Sequence, residues 1–230
     1  MLEQREVIRI GDEKALWREN SASGSLLFTY HRLTEKDLDF FEKLPITFRY
    51  EKEGYPAIIC CHGSPINSRE LLQLGSDVTK KWLQKIDTDY MICAHTHFQG
   101  AYEYQGKFYF NAGSVGIAIG DQGYAQCMLL ESVSQDGSTI WKPTFLKLPY
   151  DVSQVVKEIM ESGLLEAAPW FVNSNLQTLL TGTNYSAEMV RLANALAKEA
   201  GETSVWPDVK EIYFEIAARK LGIPDYQTIQ

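Results

Sequence analysis

Two short apolar runs, residues 57–61 and 90–93, lead straight into histidine: Cys61-His62-Gly63-Ser64-Pro65 ends the first and Cys93-Ala94-His95-Thr96-His97 the second. Runs this short, rich in β-branched or sulfur side chains and bounded by turn residues, read as buried strands. The histidines therefore stand where strands end, and in open α/β sheets that is where ligands bind. In an extended segment residues two apart share a face, so His95 and His97 are expected to point into one cavity. With His62 joining from a neighbouring strand, the group reads as a partial metal site, since neutral imidazole suits Mn, Fe, Co, Ni and Zn. A third loop, Asn111-Ala112-Gly113-Ser114-Val115-Gly116, follows an expected hairpin of residues 101–104 and 107–110 turned at Gln105-Gly106.

Composition narrows the function. The chain has 230 residues, 45% of them apolar, which is ample for a core. Its net charge of -8, without a basic run, argues against electrostatic binding to nucleic-acid backbone or to an anionic membrane. The longest apolar run is far short of the roughly 18 residues of a membrane span, and the first residues lack the apolar core of a signal peptide. A cytoplasmic location is the expectation. The four cysteines lie in strand-like runs without a disulfide framework and read as core thiols. A sharper alternative is a structural zinc site, because Cys60 shares strand parity with His62, and Cys93 shares it with His95 and His97.

Along the chain, residues 7–17 read as a strand running into a helix, and residues 20–25 as a loop. Thr34 caps an expected helix whose buried stripe is Leu33, Leu38, Phe41 and Leu44 and which Pro45 closes. His31, just before it, reads as a surface residue. Residues 46–50 and 57–61 are expected strands, residues 76–86 a helix capped by Ser76 with Val78, Trp82 and Ile86 on one face, and residues 124–131 and 139–148 a last strand pair completing the sheet. From Asp151 the pattern turns helical: residues 152–160, 164–180, 186–200 and 208–221, the last with a capping box of Asp208 and Glu211 and a stop at Gly222. The aromatic residues of this tail read as packing, either over the sheet or between two copies of the chain.

The three loops together, His62-Gly63-Ser64-Pro65, Ala94-His95-Thr96-His97 and Asn111-Ala112-Gly113-Ser114-Val115-Gly116, resemble those of the calcineurin-like metallophosphoesterases, in particular the small bacterial and archaeal phosphodiesterases. That family usually carries Gly-His-x-His and Asn-Pro-Gly-Ser-Val-Gly at the second and third. The resemblance covers residues 34–148. It implies an α/β fold, part of a four-layer αββα sandwich, with residues 1–150 as the metallophosphoesterase domain and residues 151–230 as an all-helical extension. It also implies two divalent ions (Mn, Fe or Zn) acting on a small phosphate ester, with His62 and His95 on one metal, His97 on the other, and Gly63, Ser64 and Asn111 at the substrate.

The family's early Asp-x-His, Gly-Asp-x-x-Asp and Gly-Asn-His-Asp motifs have no counterpart here. Gly11-Asp12-Glu13 is at most a degraded echo of the third, with Asp12 a candidate ligand beside His62 and His95. The chain thus reads as the second half of such an enzyme; if nothing precedes Met1, one sheet is expected to lack its leading strands and to have an exposed apolar edge. Weak metal binding and little hydrolysis are expected of it alone, and no catalytic side chain is assigned. Two other functions stay open: a non-catalytic binding or interaction module descended from the fold, and a domain built on structural zinc.

Overall fold

The computed structural model describes residues 7–10, 13–203 and 206–228, with side chains from Trp17 onward. The chain forms two compact units, Lys43–Tyr150 and a second assembled from Met1–Glu42 with Asp151–Gln230. The N-terminal stretch thus groups with the helical tail.

That second unit opens with two strands, β1 (Val7–Ile10) and β2 (Glu13–Leu16), paired antiparallel from Val7↔Leu16 to Ile10↔Glu13. The expected helix after β1 is therefore a strand. The expected loop over residues 20–25 is a turn as far as Ser23, and helix α1 (Gly24–Tyr30) begins within its last two residues. The small polar stretch before it turns because the Asn20 Oδ1 accepts from the amides of Ala22 and Ser23 at 3.0 and 2.9 Å, an Asx turn that leads into the helix. Gly24 is needed there: a Cβ would lie 1.9 Å from the Ala167 carbonyl oxygen. Helix α2 (Glu35–Lys43) is capped as expected, the amide of Thr34 donating to Asp37 at 2.8 Å and Asp37 returning its own amide to the Thr34 hydroxyl. Its stripe is only partly covered, however. Leu33 and Leu38 are half-buried, whereas Phe41 and Leu44 remain 52% and 50% exposed. Helical spacing creates an apolar face without supplying its partner.

In Lys43–Tyr150 the strands are β3 (Thr47–Tyr50), β4 (Ile58–Cys61), β5 (Tyr90–Cys93), β6 (Gly100–Tyr104) and β7 (Lys107–Asn111). Their order is β3-β4-β5-β7-β6, with β4, β5 and β7 parallel and the two edges antiparallel. Helix α3 (Asp77–Lys85) lies between β4 and β5 in sequence, and Ser76 caps it by accepting from the Thr79 amide. The period of two sends neighbouring residues to opposite faces. Ile59, Met91, Cys93 and Tyr109 pack with Leu72, Leu83 and Ile86 on the helix side, so Leu83 and Thr79, more than Val78, form the buried face of α3. Ile58, Tyr90 and Phe110 pack on the other side with Met128, Leu130 and Trp141. Each buried side chain of this size contributes roughly 1.5–3 kcal/mol over an exposed one.

The last two strands, β8 (Tyr124–Gln135) and β9 (Ser138–Pro149), form a separate two-stranded sheet and do not extend the five-stranded one. Asp136 and Gly137, at φ 49° and 78°, make a two-residue turn of the kind that matches strand twist. Trp141 joins the sheets: its indole N–H donates to the Pro56 carbonyl at 2.8 Å and its ring stacks on Tyr55. The unit is thus α/β in three layers: helix, five-stranded sheet, two-stranded sheet. On the edge strand β3, Phe48 is 57% exposed.

The tail comprises α4 (Val152–Glu161), α5 (Leu164–Ala167), α6 (Pro169–Thr181), α7 (Tyr185–Glu199) and α8 (Glu211–Leu221). The single helix expected over residues 164–180 breaks at Ala168, which takes φ -147° and ψ 66° because the following Pro169 excludes the helical conformation from the residue before it. Met189, Ala193 and Ala197 of α7 pack on Phe214, Ala217 and Ala218 of α8. The expected capping box at Asp208 and Glu211 is absent: Asp208 pairs with Arg18 at 3.3 Å, and Glu211 accepts from the Ser21 amide at 2.8 Å. Gly222 ends α8 in the left-handed region at φ 66°, as expected. Among the described residues, no helix is long and apolar enough to cross a membrane.

Candidate metal centre

The three parallel strands β4, β5 and β7 all end at the same edge, and each is followed by one of the three loops. The ladders carry the alignment, pairing Ile58 with Tyr90 and Cys93 with Asn111. Beyond the strands, the Ala94 amide donates to the His62 carbonyl at 2.9 Å, which brings the first two loops side by side. The rings of His62 and His95 follow, with centroids 4.9 Å apart and planes at 53°.

His95 and His97 do not reach the site by strand alternation. Strand β5 stops at Cys93, and both histidines have φ 59° in the left-handed region, where a non-glycine residue is uncommon. Such strain persists only where the surroundings impose it. Here they do. The Asn111 side chain, fully buried, donates through Nδ2 to the Ala94 carbonyl at 2.8 Å and to the Thr96 hydroxyl at 3.0 Å, while its Oδ1 accepts from the Gly113 amide at 2.9 Å. Asn111 thereby ties the second loop to the third.

Each of the two histidines also has one ring nitrogen facing a backbone carbonyl. His95 Nε2 lies 3.2 Å from the Arg69 oxygen, and His97 Nδ1 lies 2.8 Å from the Ile117 oxygen. A carbonyl only accepts, so these nitrogens carry the protons. The nitrogens left as lone-pair donors are Nδ1 of His95 and Nε2 of His97. A backbone carbonyl behind the ring is the usual way a metal-binding imidazole is oriented. Burial is the main influence holding the pKa of both His62 and His95 below the ordinary histidine value; at His95 the bond to the Arg69 carbonyl opposes it, and at both rings the neighbouring imidazoles add to it. Burial and the imidazoles favour the neutral form that binds metal.

Gly63 and Ser64 sit below this surface. A Cβ on Gly63 would lie 2.7 Å from the Asn67 carbonyl oxygen, so its missing side chain makes room for the chain's own residues 67–70. Ser64 is fully buried, its amide donating to Asn67 O at 2.9 Å and its hydroxyl accepting from the Asn67 amide at 3.2 Å. The third loop is held by Gln126, 2% exposed, which accepts from the Ser114 amide at 3.3 Å and donates to Asp121 at 2.6 Å. Gln99 donates to the Ala112 and Cys127 carbonyls. Neither glutamine carries a sequence signal, because an isolated glutamine in a strand or at its start reads as a solvated residue.

Cys60 faces the side opposite Cys61, and the Sγ atoms of Cys61 and Cys93 lie 3.5 Å apart. Among the described residues, no group of three or more His, Cys, Asp or Glu is arranged to hold a metal ion. That holds for the zinc alternative and for His62, His95 and His97 alike, so these residues do not complete a metal site by themselves. Asp12 lies outside the described residues.

Parallel strands delivering histidine loops to one edge, with a second sheet packed on the far face, give the chain an α/β fold consistent with a metallophosphoesterase. A solved structure shares the fold. A hypothetical protein, PH1004, from Pyrococcus horikoshii OT3 superposes with a TM-score of 0.56 at 18% identity, covering 76% of this chain and 62% of that one. A metallophosphoesterase from Sphaerobacter thermophilus superposes with a TM-score of 0.49, also at 18% identity, over 67% of this chain and 64% of its own. The chain thus spans a little under two thirds of the length of either structure. No family model matches it, and no curated protein does.

Proposed function

We propose that the chain carries the histidine side of a metal-dependent phosphoesterase site, acting on a small phosphate ester. The observation behind this reading is the paired orientation of His95 and His97, each with one ring nitrogen committed to a backbone carbonyl and the other left to bind. In this reading His62 and His95 serve one Mn, Fe or Zn ion and His97 a second, while carboxylates that the three histidine-bearing and glycine-bearing loops do not supply complete both. Gly63, Ser64 and Asn111 shape the loops beneath the substrate, and their burial suits them to positioning. The protein works in the cytoplasm, with the helical tail as a contact between copies.

The test is metal content after dialysis against manganese, with hydrolysis of a chromogenic phosphodiester measured in the same sample. Metal uptake that falls in both His62→Ala and His95→Ala supports the proposal. Uptake indifferent to both substitutions overturns it. The incomplete ligand set favours one second reading, a binding module that keeps the fold without the chemistry. Weak manganese uptake with no turnover, even when a carboxylate-bearing companion chain is supplied, would support that reading instead.

A further inference from the structure

We propose that Cys61 and Cys93 form a reversible thiol–disulfide pair, a modification site at the base of the histidine loops. The two residues end the adjacent parallel strands β4 and β5, one step beyond the registered pair Cys60↔Ile92, and their side chains share the α3 face of the sheet. Their Sγ atoms are 3.5 Å apart. A disulfide needs about 2.05 Å, so the sulfurs must close by about 1.5 Å, within reach of small side-chain rotations because the strands already hold the backbones side by side.

The two thiols are not equivalent, and this sets the order of events. Cys61 is half-buried and lines, with Cys60, Phe48 and His62, a cavity of about 560 Å³, so a small oxidant can reach it. Cys93 is 2% exposed and has Cys61 as its sulfur neighbour. With a hydroperoxide as oxidant, the Cys61 sulfur attacks the peroxide, the O–O bond breaks, and a sulfenic acid and one water (or alcohol) form. The Cys93 sulfur then attacks the Cys61 sulfur. The S–O bond breaks, the S–S bond forms, and the hydroxyl leaves with the Cys93 proton as a second water. Two electrons pass from the sulfurs to the peroxide, and an external thiol reverses the step. Cys60 opens on the same cavity but packs on the other face of the sheet, away from Cys93, so among the described residues it has no sulfur partner to close on.

The link would staple β4 to β5 directly before His62 and two residues before His95. The test uses the full chain, reduced, freed of reductant, treated with hydrogen peroxide in the presence of a chelator and mapped by peptide mass spectrometry. The expected result is loss of two hydrogens per chain, a linked peptide pair containing Cys61 and Cys93, and full recovery with dithiothreitol. In Cys93→Ser, a 1,3-dione probe should label Cys61. In the unsubstituted protein, a link through Cys60 or Cys127, or sulfinic acid without any link, overturns the proposal without depending on a variant.

Discussion

The amide of Ala94 donates to the carbonyl of His62 at 2.9 Å, so the parallel pairing of β4 and β5 continues one step past both strands. Two histidine loops that are 33 positions apart in sequence, counting from His62 to His95, therefore form a single backbone unit. Their relative position is set by main-chain hydrogen bonding, and the side chains inherit it.

If the carbonyls of Arg69 and Ile117 fix the ring protons, His95 carries its proton on Nε2 and His97 on Nδ1. Long-range nitrogen–proton NMR at a pH where both rings are neutral should show these two opposite tautomers. The same tautomer at both positions would contradict the geometry.

Stability should depend on pH through His95, whose folded-state pKa is lowered chiefly by burial. His62 shifts the same way but is the more exposed of the two rings, so most of the dependence comes from His95. The unfolded chain takes up the proton near the ordinary value of about 6.5, whereas the folded chain resists until the pH is lower. Below about 6.5 the unfolded state binds more protons, so stability falls as the pH drops toward the folded value and is flat above. Urea midpoints between about pH 7.5 and about pH 5 should decline less in His95→Gln than in the unsubstituted protein.

Asn111→Leu keeps the volume and removes the polar clasp. It orphans the Ala94 carbonyl and the Gly113 amide, at a cost of about 1–3 kcal/mol for each buried group left unpaired. The urea midpoint should shift accordingly, and manganese uptake should weaken with it because His95 loses its support. An unchanged midpoint would mean that water replaces the amide.

Gly113 and Gly106 both have positive φ, 85° and 77°, but only the first is crowded. A Cβ at 113 would meet Gln126 Oε1 at 2.2 Å, whereas nothing lies within 4 Å at 106. Gly106→Ala should lose roughly 1 kcal/mol, for the backbone alone. Gly113→Ala should lose that plus the displacement of Gln126, a gap readable as a difference in thermal midpoint.

Most of the site could be read from residue order. Short apolar runs ending in histidine locate β4 and β5 to within a residue, and the order of the three loops matches the order of the parallel strands. The route to the site is another matter. His95 and His97 converge through two left-handed residues, a conformation histidine rarely adopts and one that depends on Asn111, a residue contributed by another strand. Helix α1 shows the same limit. Residues 20–25 have the composition of a loop and do turn as far as Ser23, but the helix after them starts at Gly24, because Asn20 shapes the turn and Gly24 lies flat against α5. The break at Pro169 was legible, since proline restricts the residue before it, but the apolar run on both sides masks it.

The pairing of Met1–Glu42 with Asp151–Gln230 also has a meaning in time. Ser21 hydrogen-bonds Glu211, and the Trp206 indole donates to the Ala22 carbonyl at 2.7 Å, so the first helical segment rests on residues made nearly at the other end of the chain. At about 5–20 residues per second, roughly 10–40 s of synthesis separates Ser21 from Glu211. Lys43–Tyr150 emerges within that interval and closes on itself, while the early helix waits for its partners. During synthesis residues 43–150 can finish folding before the helix at residues 24–30 finds its partners.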